Sequence, residues 1–376
     1  MVMDSTNILF WNAPPKRDDT RAVDPLGFDA LREVMADGLA PLLTGATRHA
    51  DEYLWTLIGL RVAPQLADST VDDEFFAKGF APFERALKQY WLKFESRRSG
   101  GVNTVEELIE GKCPTLSRPI LADERATGLV GSYIVSLRGL GLIESNSLRV
   151  CSHETDKLLA AVEFNPKPTR WASSWKNLEQ TFSQPDLRAA KRRLGRLLFA
   201  TSQPLMNAAA RAVRRSPSAR DWHQVRWDAP GCGQARVAKA TESVAALGKT
   251  ALLAFADLLK GDTSLPPKQL QQLRRMAERA LQANPYPDGW ATDNRLRRIM
   301  DITWSRLADG KDVEAALVEL HVEVTRGIRQ TDPWIERVGE RSESFADWEP
   351  GRGAPDYRFA NLFRLLIETG WKSDAH

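Results

Sequence analysis

Residues Thr127–Phe164, TGLVGSYIVSLRGLGLIESNSLRVCSHETDKLLAAVEF, constrain the fold more tightly than any other stretch of the chain. Leu129, Tyr133, Ile134, Leu137 and Leu140 recur at helical spacing, so the segment opens as an amphipathic helix. Gly139 and Gly141 then stop it, because glycine takes the left-handed conformation at little cost. Leu142–Glu144 and Leu148–Val150 read as short strands on either side of a Ser145-Asn146-Ser147 turn. Ser152 is placed to cap a second helix, although Glu154 stands one position too early for a full capping box. A helix followed by a two-stranded wing is the pattern of a winged helix, a variant of helix-turn-helix.

Such a unit reads DNA in some proteins and joins protein to protein in others. The first helix here carries one strong cation, Arg138. Its remaining polar face is small: Thr127, Gly128, Gly131, Ser132 and Ser136. Helices that read base edges present several Arg, Lys, Asn or Gln side chains. Small residues favour close approach by another element, so protein docking or internal packing is the stronger expectation for this helix.

Helical periodicity dominates the rest of the chain. Apolar stripes predict helices over Phe28–Leu43, Arg48–Leu60, Asp72–Phe94 and Val105–Ile109, with Pro82 splitting or kinking the third. Further helices are expected over 185–201, in the segment holding Arg211–Arg215, from Val237 to near Gly261, and over Leu270–Ala283, Leu296–Leu307, Val313–Arg326 and Tyr357–Thr369. Ile8–Trp11 reads as a short strand or docking arm, and Asp347–Asp356 as an acidic connector. No alternating strand series or repeated strand–helix unit is visible. The expected fold is therefore mainly α, a multi-helix protein with a small winged-helix-like unit in the middle. Shifts in composition divide it into an N-terminal helical domain (1–115), the winged-helix-like unit (116–165) and a C-terminal helical domain with basic helices (166–376).

The basic helices carry the strongest functional signal. Arg188, Lys191, Arg192, Arg193, Arg196, Arg211, Arg214 and Arg215 crowd a stretch opposed only by Asp186 and Asp221. Arg188, Arg192 and Arg196 fall at i, i+4 and i+8, on one helical face. Like charges at that spacing each cost roughly 0.2–0.5 kcal/mol, which an acidic partner offsets. Phosphate backbone, an acidic protein surface and carboxylates from elsewhere in the fold all meet that need. The net charge of the whole chain is only +3, so any nucleic-acid binding must come from this local patch. Trp222-His223-Gln224-Val225-Arg226-Trp227 adds rings beside cations, a mixture that stacks bases but more often anchors a loop.

Other chemistry is poorly supported. Cys113, Cys151 and Cys232 form no CxxC pair, which argues against disulfides and zinc ribbons and fits a reducing cytoplasm. No apolar run reaches the ~18 residues needed to span a bilayer, and no signal peptide is expected. Gly248-Lys249-Thr250 resembles the tail of a phosphate loop, but Ser243 occupies the place of its first glycine. His49, Asp51 and Glu52 lie on a core-facing helix and read as its solvated face; His321 reads as a buried or solvated histidine. Asp51, Glu52, Asp72, Asp73 and Glu74 are carboxylates of the kind nucleases gather around metal, yet no spacing singles them out. No catalytic residue, metal or cofactor is expected.

The blocks DPLGFDALREVMADGLAPLLTGATRHADEYLW, FAPFERALKQYWLKF and GLVGSYIVSLRGLGLIES resemble segments of poorly characterised proteins from bacterial antiphage defence loci. The likeness covers roughly the first 160 residues and rests on hydrophobic pattern, so it transfers no active-site residue. It implies a context, that of a subunit in a multi-protein defence system. Two roles fit that context. One is a non-catalytic subunit that binds duplex DNA without sequence preference. The other is an adaptor that docks a nuclease or ATPase without touching nucleic acid.

Overall fold

A computed structural model describes residues 26–44, 47–67, 71–97, 102–121, 123–160, 162–164, 170–183, 185–220, 222–228, 233–259, 265–282, 306–307, 313–325 and 357–372. The expected strand at Ile8–Trp11, residues 296–305 of the expected helix Leu296–Leu307, and the connector Asp347–Asp356 lie outside those residues.

The described chain is mainly α. In order, its helices are α1 (Phe28–Asp37), α2 (Ala50–Val62), α3 (Ala81–Glu95), α4 (Val102–Ile109), α5 (Glu124–Thr127), α6 (Leu129–Gly139) and α7 (Ser152–Leu159). There follow α8 (Trp175–Phe182), α9 (Arg188–Leu198), α10 (Pro204–Arg214), α11 (Gly233–Leu259), α12 (Pro267–Gln282), α13 (Val313–Thr325) and α14 (Tyr357–Thr369). Asp72–Glu74 and a π-helical turn, Phe75–Phe80, lead directly into α3. Pro82 follows directly on this π-helical turn, at the start of α3. The stripe over 28–43 is helical only to Asp37. Gly38 and Leu39 bond back three residues, to Met35 and Ala36, and Pro41 disfavours helix at the residue before it. Leu39, Leu42 and Leu43 are buried all the same.

Contacts group the chain into two compact units, each made of two segments: residues up to Pro41 with Ala212–Asp356, and Leu42–Arg211 with Tyr357–His376.

In the first unit, α11 is the spine, 27 residues and about 40 Å long. Its Val244, Leu247, Ala251 and Phe255 share a core with Phe28, Leu31 and Met35 of α1. Leu273 and Ala277 of α12 and Leu317 and Leu320 of α13 complete that core. Gly248 lies mid-helix, close enough to Phe28 that a Cβ there would stand 2.7 Å from the Phe28 Cβ. That packing position accounts for the glycine of the Gly-Lys-Thr sequence.

In the second unit, α2 is buried on nearly every side, from Tyr53 to Leu60, as expected of a helix apolar all round. Trp55 meets Phe83, Phe164 and Phe182 at ring-centroid distances of 5.5–6.2 Å. Trp171 and Tyr90 extend this aromatic cluster. Polar residues on α3 then clamp the segment that leads into α6. Arg85 Nε donates to both oxygens of Glu124, at 2.9 and 3.1 Å, and Nη1 donates to the Leu116 carbonyl. Gln89 bonds the Thr115 carbonyl and N–H, and Glu84 accepts from the Leu129 N–H at 2.9 Å.

The expected wing is reduced, among the described residues, to a single antiparallel bridge between Ile143 and Val150. Gly141, at φ +68°, makes the turn into it. Arg138 does not point outward. It folds onto this hairpin, donating to the Glu144 and Ser147 carbonyls at 3.3 and 3.1 Å. The small-residue face of α6 is packed against protein. Ser136 donates to the Leu42 carbonyl, and a Cβ on Gly131 would collide with the Ala126 carbonyl. Cys151, not Ser152, occupies the N-cap position of α7, without a side-chain cap bond, and the Thr155 hydroxyl donates to the Leu142 carbonyl.

Gly59 of α2 lies close under two rings: an added Cβ would lie 2.5–2.7 Å from the Phe83 and Phe80 rings. Gly59→Ala is expected to destabilise the protein by about 1–3 kcal/mol through overpacking. Gly233→Ala, where no atom of the described residues lies within 4 Å of the added Cβ, is the matched control and costs no stability. Urea unfolding followed by circular dichroism measures both.

Candidate nucleic-acid interface

Helix α9 carries the charged row that the sequence singles out. Its apolar stripe, Ala190, Leu194 and Leu198, is fully buried and packs towards α2, α7 and α14. Gly195 lets α14 come close, since a Cβ there would lie 2.6 Å from the Thr369 side chain. With one face fixed in this way, Arg188, Arg192 and Arg196 are exposed at successive turns of the opposite side. Among the described residues, Arg192 and Arg196 make no hydrogen bond or ion pair. Arg188 is engaged: Nε lies 3.0 Å from both Asp186 oxygens and Nη2 lies 2.6 Å from Oδ2. The side-chain hydrogen bond from Arg188, then the bond from its backbone N–H, push the Asp186 carboxyl down to about 2, with a smaller push from the Arg192 charge.

The other cations of the set are arranged differently. Lys191 and Arg193 are half-buried, and Arg193 Nη1 donates to the Lys157 carbonyl near the end of α7. Arg211 is half-buried on α10. Arg214 and Arg215 are exposed but belong to the other unit, where Arg215 pairs with Asp228. In that unit Trp222 is buried and stacks on Trp227 at 6.1 Å, the geometry of a loop anchor. Of the eight residues, then, the exposed members that share one helix are Arg188, Arg192 and Arg196.

A second polar cluster surrounds the start of α2, and it corrects the expectation of a solvated face for His49, Asp51 and Glu52. Arg97, just past α3, reaches Asp51 with Nη1 and Glu52 with Nη2, each at 2.5 Å, and lies 4.1 Å over the Trp91 ring. Burial pulls the Arg97 guanidinium down, but Asp51 and Glu52 outweigh it and hold the group above its ordinary value. The Tyr133 hydroxyl donates to Glu52 and accepts from the Arg48 and His49 N–H groups at 2.9 and 3.3 Å. Burial first, and the Glu52 charge second, hold the Tyr133 phenol well above its usual range. Glu368 of α14 accepts from the Ala50 N–H at 2.6 Å and meets His49 Nδ1 at 2.7 Å. The partner that sequence spacing could not supply is Glu368, more than 300 positions away in the chain.

His49, Asp51 and Glu368 are the one trio among the described residues whose ligand atoms approach closely enough to hold a metal, all within 4.8 Å. Their chemistry does not fit a cation. Asp51 already neutralises Arg97, Glu368 already caps a backbone N–H, and the start of a helix is the positive end of its dipole. The remaining carboxylates are accounted for by structure. Asp72 accepts from Leu148 N–H, Asp73 pairs with Arg125, and Glu74 pairs with Lys78. His321 is buried against the Phe255 ring at 4.6 Å. No helix among the described residues is long and apolar enough to cross a membrane.

No family model matches the chain, and neither a curated protein nor a solved structure matches it.

Arg97→Met leaves Asp51 and Glu52 as close, half-buried like charges, and is expected to cost about 3 kcal/mol by denaturant unfolding. Tyr133→Phe is expected to cost about 1–3 kcal/mol at pH 7.5. Because the folded-state pKa of Tyr133 is raised, its contribution is complete below the unfolded value near 10 and is lost as pH rises above it. The stability gap between parent and Tyr133→Phe therefore narrows at pH 10.5. A gap that widens there contradicts the assignment.

Proposed function

We propose that this protein is a non-catalytic, DNA-associated subunit of a bacterial antiviral defence complex, and that it holds phosphate backbone on α9. One observation carries the reading: three arginines stand exposed at successive turns, and two of them form no ion pair among the described residues. A guanidinium row of this kind costs self-repulsion when alone and gains charge-assisted, bidentate bonds when phosphates face it. Such contacts fix a backbone without reading bases, so the binding is independent of sequence. The packed face of α6 and the inward Arg138 support α9, rather than the hairpin unit, as the contacting element. The defence context rests on the resemblance of the N-terminal blocks, and cytoplasmic residence follows from that context.

A second reading, an adaptor that docks a nuclease or ATPase, is favoured by Phe363 and Ile367. These apolar side chains are exposed one turn apart on α14, whose Phe359, Leu362, Leu365 and Leu366 are buried.

The test is anisotropy with a labelled 20-base-pair random duplex across a salt series. The double substitution Arg192→Gln/Arg196→Gln removes two phosphate contacts. It is expected to weaken binding and reduce the log–log salt slope by about 1.8. Duplex binding by the parent that these substitutions leave unchanged refutes the α9 assignment. An absence of duplex binding, together with co-purification of a nuclease or ATPase, supports the adaptor instead.

A further inference from the structure

We propose that Asp186 is a built-in substitute for phosphate on the arginine row: its carboxylate occupies Arg188 in the free protein and yields it to a phosphodiester when a nucleic-acid strand binds. This inference rests on the reading of α9 as a backbone-binding helix. Asp186 lies two residues before α9 and opposes the basic run. Its two oxygens receive the Arg188 side chain through Nε and Nη2, the same fork a guanidinium offers to a phosphate. Both partners lie in water, with side chains 84% and 55% exposed for Arg188 and Asp186, so the pair exchanges without a desolvation barrier.

The rest of the row gives the contact its meaning. Arg192 and Arg196 follow at steps of about 6 Å along the helix axis and form no ion pair with a carboxylate among the described residues. The resting row thus holds one anion at its first position and presents two open positions. A bound strand gains three contacts but must displace one. Asp186 therefore sets the affinity and salt dependence of the row without touching the strand. The same carboxylate also accepts the Arg188 backbone N–H at 2.9 Å, which helps start α9. Its two roles separate chemically. Asparagine keeps a carbonyl oxygen for that N–H and loses the charge that holds the guanidinium.

The experiment compares parent, Asp186→Asn, Asp186→Ser, Asp186→Asn/Arg188→Gln and Arg192→Gln/Arg196→Gln, each as full chain. The probes are a fluorescein-labelled 20-base-pair duplex and a 20-nucleotide single strand, titrated at several salt concentrations. Asp186→Asn is expected to bind more tightly than parent. One added phosphate contact steepens the log–log slope by about 0.9 on duplex or 0.7 on single strand. On duplex the gain is then about 3.5-fold larger at 50 mM than at 200 mM salt. Adding Arg188→Gln abolishes it. Asp186→Ser retains an acceptor at the helix start and reproduces the gain should the asparagine variant melt early. If Arg192→Gln/Arg196→Gln weakens binding while neither Asp186 variant tightens it, Asp186 is a helix-start residue only and this inference falls alone. If Arg192→Gln/Arg196→Gln has no effect, the α9 reading falls and takes this inference with it.

Discussion

The second unit depends on how the start of α2 is satisfied. A helix buried from Tyr53 to Leu60 cannot send its first N–H groups to bulk water, so the protein must supply acceptors. Glu368 takes the Ala50 N–H, and just ahead of the helix the Tyr133 oxygen takes those of Arg48 and His49. Bringing Asp51, Glu52 and Glu368 to one place creates repulsion, which the guanidinium of Arg97 offsets from the end of α3. Four elements meet there, and each is oriented by what the α2 terminus lacks.

That junction also positions the charged row. Glu368 belongs to α14, and α14 is further held by Arg358 donating to the Leu43 carbonyl and Asn361 donating to the Thr44 carbonyl. One residue beyond Glu368, Thr369 presses against Gly195 of α9. The buried stripe of α9 is therefore fixed by a helix that is itself fixed by an ion-pair network. With its inner face committed, α9 has one way to turn Arg188, Arg192 and Arg196. A patch of charge on a mobile segment would lose entropy on binding; a row on a packed helix has already lost it.

Much of this architecture is legible in sequence, for a physical reason. Helical spacing of apolar residues reports burial directly, so α2, α6, α9 and α14 are each expected close to their observed positions. The i, i+4, i+8 spacing likewise places three arginines on one side of α9. What sequence conceals is long-range polar pairing. Nothing near His49 announces Glu368, and nothing near Asp51 announces Arg97, so an acidic helix start reads as solvated when it is half-buried. Arg138 misleads in the opposite direction: a lone cation on a helix face looks available, whereas two carbonyls of the following hairpin claim it. The shortened α1 is readable in principle from Pro41, but the apolar stripe that runs past it to Leu43 is buried without being helical.

The second unit is assembled from two stretches of chain separated by roughly 150 residues. At synthesis rates of about 5–20 residues per second, the end of the first stretch is made roughly 8–30 s before Glu368. Throughout that interval the Ala50 amide and the His49 ring await a carboxylate still to be translated. The nascent unit must wait with one face of α9 uncovered, its final helix arriving only after the intervening residues have been made.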